Sequence, residues 1–415
     1  MRDRDLYTRI LGIRAPWRVT EVELDTKAEE VRVLVEPDPA ASFACPSCGT
    51  VCAGYDRRRR QWRHLDTCQF RTVLVAELPR VQCPTHGVVT VAVPWAEPGS
   101  GFTALFEALV IDWLKETTVA AVARQLGLSW NAIAGIQRRA VARGLGRRES
   151  RAASDLCIDE TAFARRHEYV TVVSDPVEDR VLHVADDRKR ESLEGYYRSL
   201  SEAQKAAIAS VAMDMWGPYI QATLAQVPGA QAKIAFDKFH VARSLGEAVD
   251  KVRRHEHREL LAAGRSDLKG SKYDWQRRPE NMTREQRQRF ALLKTSTLKT
   301  ARAWAIKEFG MRLWHYVSRT GAEKGWRRLI GWAQRSRLEP MKKVAGTLKE
   351  HLWGILNAVV LKVTNGPAEG MNSRIQLIKA RSRGFRNRAN FRNAIYFHLG
   401  GLDLYPNAIY EAPSD

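Results

Sequence analysis

Two short knuckles constrain this chain more than anything else in it: Cys45-Pro-Ser-Cys48-Gly49 and Cys83-Pro-Thr-His86-Gly87. Each puts two soft ligands on one tight turn, and the glycine that follows lets the backbone curl past a metal. Four such ligands satisfy tetrahedral Zn²⁺, so residues 45 and 86 must converge on one point. The strands between them, Phe70–Val75 included, complete a zinc ribbon. Two alternating segments within residues 17–36, around Thr26–Glu30, predict a preceding hairpin. Cys52, His64 and Cys68 are irregularly spaced and read as packing or surface residues. With little other core in view, the metal is expected to supply most of the folding energy of the first ninety residues. Arg57–Arg60 reads as a solvated basic loop within reach of phosphate. The six cysteines sit mostly in this region, as a metal site requires and a disulfide framework does not.

Charge narrows the partner. Across 415 residues, 67 Lys and Arg oppose 47 Asp and Glu, a formal charge of +20, and so large a positive field points to a polyanion, most simply nucleic acid. No uncharged apolar run approaches the roughly 18 residues of a membrane span. The charged start, Met1-Arg-Asp-Arg-Asp, carries no signal-peptide pattern, so a cytoplasmic protein is expected.

Pro94, Pro98, Gly99 and Gly101 mark a boundary, and helical periodicity begins near Thr103 with Leu105, Phe106, Leu109 and Trp113. Val119 to Ile133 then has the pattern of a helix-turn-helix: small Ala123 where the helices cross, Gly127 at the turn, Ser129 as the next cap. Its second helix would bring Trp130, Asn131, Gly135, Arg138 and Arg139 to DNA. Arg143–Arg148 reads as a linker.

The next stretch, Asp155-Leu-Cys-Ile-Asp-Glu-Thr-Ala-Phe163, predicts a short buried strand ending at Asp159. A strand pair follows (169–174 and 180–185), then a helical segment over about 190–208, a strand from Ala209 ending in Asp214, and a third run, 232–236, ending in Asp237. Acids at the ends of neighbouring strands are what a Mg²⁺-dependent phosphoryl-transfer site needs; singly, each would be an ordinary turn former or cap. Residues 244–363 are helical in pattern, with six tryptophans that read as core. Gly264–Pro279, with Lys269, Lys272, Arg277 and Arg278, reads as an exposed basic loop. An Asn365-Gly-Pro turn then caps a helix carrying Glu369, Asn372 and Ser373. Basic residues from Arg374 to Arg392, including Arg381, Arg383, Arg386 and Arg388, with Phe385 and Phe391 interleaved, suit a DNA backbone track.

On Cys45-Pro-Ser-Cys48-Gly, Ile158-Asp-Glu-Thr161, Asp237-Lys-Phe-His240-Val, Ala248–Arg254 and Asn365-Gly-Pro-Ala-Glu369-Gly-Met-Asn372, the chain resembles the DDE transposases of the ISL-three family of bacterial insertion sequences. His86 stands where many relatives carry a fourth cysteine. The resemblance implies an α/β multidomain chain whose ribonuclease-H-like catalytic core is split by an α-helical insertion and preceded by a zinc ribbon and a helix-turn-helix. The implied domains are 1–99 (zinc ribbon), 100–150 (helix-turn-helix), 151–243 (core, first part), 244–363 (insertion) and 364–415 (core, second part, with the basic segment). It further implies that two Mg²⁺ (or Mn²⁺) ions lie between three acids. Counting strands in such a core selects Asp159, Asp214 and Glu369, with Asp237 and His240 as contender or supporting pair. Structural Zn²⁺ would sit on Cys45, Cys48, Cys83 and His86. The implied partner is double-stranded DNA, transposon ends and target, bound by a homodimer assembled on it, in a bacterial cytoplasm at the nucleoid. A non-catalytic DNA-binding regulator derived from a transposase is the alternative. A ribonuclease acting on RNA or hybrids is a third reading, for which the N-terminal modules would be superfluous.

Overall fold

The computed structural model describes residues 3–149, 153–164, 168–277 and 282–407. The chain divides into two compact units, Met1–Glu149 with Tyr396–Asp415, and Ser150–Ile395. Arg278 and Pro279 lie outside the described residues.

The first unit opens with α1 (Asp3–Ile10), then a hairpin of β1 (Trp17–Asp25) and β2 (Glu30–Pro37), antiparallel with Asp25 opposite Glu30. Asp25 Oδ1 holds the turn by accepting from the backbone N–H groups of Lys27 and Ala28. A two-stranded ladder, β3 (Phe43–Ala44) with β4 (Val51–Cys52), frames the first knuckle. The edge strand β5 (Gly54–Arg63), the long β6 (Arg71–Cys83) and β7 (Gly87–Thr90) complete a five-stranded sheet of order β1-β2-β6-β5, with β7 on β6. Val31, Val33 and Val35 alternate inward along β2 and pack with Leu74, Trp17, Trp62 and Trp95. Trp95 meets Trp17 and Trp62 edge-on, centroids 5.0 and 5.5 Å apart. The sheet thus has a core of its own, which corrects the expectation of little core beside the metal. The Arg57–Arg60 run is corrected too: it forms the middle of β5, not a loop.

Three helices follow in this unit: α2 (Ala104–Glu116), α3 (Val119–Gln125) and α4 (Trp130–Arg147). Thr103, Thr118 and Ser129 cap them by accepting from the N–H groups of Phe106, Ala121 and Ala132. Gly127, at φ +63°, makes the turn between α3 and α4. The expected linker at Arg143–Arg148 is instead mostly helix, because its cations have partners. Arg143 pairs with Glu97 and Glu107, and Arg147 reaches Asp403 at 2.8 Å. A Cβ on Gly144 would lie 2.7 Å from that of Leu402, so the C-terminal segment packs directly on α4.

In the second unit, β8 (Asp155–Ala164), β9 (Glu168–Asp175) and β10 (Arg180–Ala185) form an antiparallel meander. Then come α5 (Arg190–Arg198) and α6 (Glu202–Ala207), separated at a Ser201 capping box where one continuous helix was expected. β11 (Ser210–Met213) leads through α7 (Gly217–Gln226) and α8 (Ala230–Lys233) to β12 (Ile234–Phe236). The sheet order is β10-β9-β8-β11-β12, with β11 parallel to both β8 and β12. Asp159 does not end its strand, because β8 stays paired with β9 as far as Ala164.

Helices fill the rest: α9 (Lys238–Ala262), α10 (Arg284–Thr295), α11 (Lys299–Leu313), α12 (Arg319–Arg335), α13 (Glu339–Glu350), α14 (Leu352–Leu361), α15 (Gly366–Arg381) and α16 (Arg388–Leu399). One apolar core runs from Ile158 and Phe236 in the sheet to Trp275 and Trp326 among the helices. The expected exposed loop at 264–279 is pinned to it: Leu268 and Trp275 are buried, and Trp275 Nε1 donates to Ser271 Oγ at 3.2 Å. On the outer edge of β12, α14 replaces a further strand. Asn357 Nδ2 donates to the carbonyls of Gln231 and Ile234, each at 2.8 Å, and Gly354 lets the helix approach the Phe236 ring.

Candidate active site and nucleic-acid-binding residues

The two knuckles converge. Cys45 Sγ and Cys83 Sγ lie 3.6 and 3.5 Å from His86 Nδ1, and Cys48 Sγ lies 3.7 Å from Cys83 Sγ. A tetrahedral zinc with bonds of about 2.3 Å to sulfur and about 2.0–2.1 Å to nitrogen would have edges of about 3.5–3.8 Å. The quartet therefore fits structural Zn²⁺ without rearrangement. Gly49 and Gly87, at φ +72° and +69°, make the backbone turns expected beside it. Among the described residues it is the one group of three or more His, Cys, Asp or Glu whose ligand atoms all lie within 4.8 Å of one another. Cys52 bonds the Thr50 carbonyl, and buried His64 bonds Thr103 Oγ1 at 2.8 Å, so both are structural as expected.

The acids of the second unit gather around the β8–β11 pair. Ala212 lies opposite Cys157, and the same register carried two residues on brings Asp214 level with Asp159. Asp214 Oδ1 is buried and has no hydrogen-bond partner among the described residues. Asp237, at the end of β12, is used differently. It is the N-cap of α9, accepting from the His240 N–H at 3.3 Å, and its Oδ2 lies 3.0 Å from His240 Nδ1. The other ring nitrogen of His240 lies 3.5 Å from Asp214 Oδ2, so the imidazole bridges the two aspartates.

Electrostatics separates these groups. Burial, reinforced by the charge of Asp214, pushes the Asp159 carboxyl up to about 7. Burial likewise raises that of Asp214. Burial also works against the Asp237 carboxylate, but the hydrogen bond from His240 and two backbone N–H groups outweigh it and hold its pKa below the usual range. The bond to Asp237, helped by the charge of Asp214, raises His240 to about 9, which favours the imidazolium form.

Glu369 arrives from the far end of the sequence, exposed in the first turn of α15. Ala368, just before it, packs on Cys157 and Ala212. One turn on, Asn372 Nδ2 donates to Asp159 Oδ2 at 2.8 Å and to the Glu160 carbonyl at 3.2 Å. Gln376 and Lys379 continue along the same face to the Ala162 carbonyl, at 3.2 and 2.8 Å. β11 pairs with β8 only as far as Cys157, so α15 covers the strand edge beyond it. The Glu369 carboxylate does not join Asp159 and Asp214 in a tight cluster. Asn365 caps the helix through its carbonyl alone, and its buried side chain makes no capping bond.

Residues 156–395 match the family model described as Transposase, of the ISL3 DDE group. That is more than half of the chain. The chain belongs to the ISL3 transposase family. Residues 91–141 match the helix-turn-helix domain of transposase family ISL3, and residues 41–86 the zinc-finger of the transposases of IS204, IS1001, IS1096 and IS1165. The transposase for insertion sequence element IS1557 of Mycobacterium tuberculosis is 29% identical, over 93% of each chain. That for IS1001 of Bordetella parapertussis is 27% identical, over 94% of this chain and 97% of its own.

In this ISL3 transposase, Trp130, Asn131 and Arg138 are exposed on α4. Arg139 is not available as expected: its guanidinium turns to Glu107, at 2.5 Å, because that carboxylate is 1% exposed and needs a cation. Arg381, Arg383 and Arg386 are exposed at the end of α15 and in the turn beyond it. Arg388 is a second correction, since it bonds the Asp186 carbonyl and Glu168 and lies over the Phe163 ring. Phe391 is buried in the core with Phe385 packed on it, so these aromatics hold the fold rather than meet bases. No described helix is long and apolar enough to cross a membrane. Sequence reasoning missed the Asn372–Gln376–Lys379 face, whose only signal was polar residues at i, i+4 and i+7.

Proposed function

We propose that this transposase binds the terminal inverted repeats of its insertion sequence and carries out Mg²⁺-dependent strand cleavage and strand transfer at Asp159, Asp214 and Glu369. The observation that carries this is the half-buried pair Asp159, on β8, and Asp214, just past the end of β11, brought level by the parallel β8–β11 register beside the helix that carries Glu369 in its first turn. The strand order, three antiparallel strands and then two parallel ones on the other side of the first, supports a ribonuclease-H-like core. The helices from α9 to α14, between β12 and α15, support an insertion within it. The domain limits are proposed as read from the sequence with two changes: the helical part begins earlier, at Lys238, and the second part of the core ends at Ile395, since the segment from Tyr396 belongs to the first unit.

The donor set fits a hard cation. It offers carboxylate oxygens, and the buried Oδ1 atoms of Asp214 and Asn372 lack hydrogen-bond partners among the described residues. Bound there, Mg²⁺ (or Mn²⁺) would activate a water or a DNA 3′-hydroxyl and stabilise the leaving oxygen. The protein's own groups hold the site ready. The Glu160 N–H and Asn372 amide each fix one oxygen of Asp159. His240, as a cation, offsets part of the charge of Asp214, while Asp237 is occupied in holding His240. The exposed residues of α4 would read the repeat, and those after α15 would hold DNA backbone, in a homodimer formed on DNA.

Gel shift on repeat ends followed by a Mg²⁺-dependent cleavage assay tests this. Asp159→Asn and Glu369→Gln should bind normally and fail to cut; cutting by either variant at the wild-type rate would remove the assignment.

A further inference from the structure

We propose that the outer edge of β5 is a second DNA-docking surface, on which Arg57, Arg58, Arg59 and Arg60 grip the phosphate backbone of a duplex from both faces of the strand. This rests on the reading that the first unit binds DNA, and it adds a contact outside the helix-turn-helix. β5 pairs with β6 on one edge; its other edge meets the chain only at the Arg63–Phe102 bridge, and among the described residues no strand pairs with it at Arg57–Arg60. Side chains alternate along a strand, so Arg57 and Arg59 stand on one face and Arg58 and Arg60 on the other. Arg57, Arg58 and Arg59 are exposed, and none of the four makes an ion pair among the described residues. The neighbouring charges are spoken for: Arg80 pairs with Asp56, and Arg63 with Asp66. Glu77 lies opposite Arg59 in the ladder, so the run keeps a surplus of positive charge.

The chemistry selects the partner. Arg58, Arg59 and Arg60 line an open cleft with Gln61 and Thr90, which adds amide and hydroxyl donors. Planar guanidinium forks match phosphate oxygens in pairs. Tyr55, at the bulge that opens β5, is exposed with Arg80 over its ring, and tyrosine hydroxyls also bond phosphate. A competing explanation is that charge on an edge strand merely blocks strand-to-strand aggregation. Glutamate would serve that purpose as well as arginine, and this separates the two.

The experiment measures binding of the full chain to a repeat-end duplex and to an unrelated duplex of equal length, between 50 and 200 mM salt. With a slope of about −0.9 per phosphate contact, R57E/R59E should flatten the salt dependence by about 1.8. The wild type then loses roughly tenfold more affinity than this variant over that range. The effect should be alike on both duplexes, and R57K/R59K should keep the wild-type slope. An unchanged slope and affinity in R57E/R59E, with zinc retained, would overturn the proposal, as would a loss confined to the repeat duplex. If the glutamates cost zinc, R57Q/R59Q is measured in their place, with the same two outcomes deciding. Asn131→Ala, by contrast, should erase the preference for the repeat and leave the slope. If the wild type itself shows no preference, end recognition fails while the β5 result still stands or falls on its slope.

Discussion

Asn372 Nδ2 donates to Asp159 Oδ2 at 2.8 Å, across 213 positions of sequence. That bond ties the helix bearing the third proposed acid to the strand bearing the first. It is one of a series: Asn372, Gln376 and Lys379 share a helix face and bond the carbonyls of Glu160 and Ala162, which alternate along one strand edge. Rotation of α15 would break all of these together, so the placing of this helix against β8 is over-determined.

Asn372→Ala should therefore leave DNA binding near wild type and slow cutting. A lost hydrogen bond to a charged group is worth about 1.5–3 kcal/mol, or roughly a 10- to 150-fold fall in rate if it acts in full at the transition state. Asn372→Asp should be worse, since it sets another carboxylate against Asp159. Wild-type cutting by either variant would show that this bond positions nothing that matters.

Removing zinc, by chelation or by Cys45→Ser with Cys48→Ser, should melt the two knuckles and weaken DNA binding. The sheet packed on Trp17, Trp62 and Trp95 should survive. Hydrogen exchange is the measurement: lost protection around residues 43–52 and 83–90 with protection kept along β2 and β6 is expected. Global unfolding of the first ninety residues would mean that the tryptophan core cannot stand without metal.

Neighbouring arginines on α4 should part company. Arg138→Ala, at an exposed position, should weaken DNA binding with thermal stability unchanged. Arg139→Ala should cost about 1–3 kcal/mol of stability, because it strips a partner from the buried Glu107 carboxylate, although Arg143 remains at 3.0 Å. Equal stability of the two variants would contradict the structural role of Arg139.

How much of this could be read from the sequence follows from how local each signal is. Each half of the zinc quartet and the Ser129 cap are set by residues a few positions apart, and both were legible. Arg139 and Arg388 were misread as DNA contacts because their acids, Glu107 and Glu168, lie 32 and 220 positions away. The tryptophan core of the N-terminal sheet was missed for a similar reason. Trp17, Trp62 and Trp95 are spread over nearly eighty residues, and nothing local says that they meet. Lys379 fell within the stretch read as a DNA backbone track, and only the early end of β11 exposes the β8 carbonyl that it bonds.

Acid should weaken the first unit through His64. Its burial lowers the imidazole to about 4, against 6.5 when free. Above 6.5 both states are neutral, and the full stability is present. As pH falls from about 6.5 to about 4, the unfolded chain takes up a proton that the folded one refuses. Stability should drop by on the order of 3 kcal/mol and then level off. His64→Gln should flatten that fall in a denaturation series over pH 4–7. An unchanged pH dependence in the variant would assign it to other groups.

The proposal of Asp214 as the second acid rests on what Asp214 and Asp237 are each already doing. Asp237 caps α9 and holds His240, and both tasks occupy the same carboxylate oxygen. Asparagine is as good an N-cap as aspartate, so Asp237→Asn keeps the helix start and loses only the charge that steadies the His240 cation. Asp214 has one buried oxygen with no partner among the described residues, just past the end of the strand next to that of Asp159. Replacing it with asparagine removes a proposed metal ligand outright. Losing several kcal/mol of charge stabilisation corresponds to roughly a thousandfold or greater fall in rate. Asp214→Asn should therefore bind repeat ends and fail to cut, while Asp237→Asn cuts within about tenfold of wild type, a loss of about 1.4 kcal/mol. His240→Ala should resemble Asp237→Asn, because both act through the same bridge to Asp214. Robust cutting by Asp214→Asn beside a dead Asp237→Asn would exchange the two assignments and make the His240 pair part of the metal site itself.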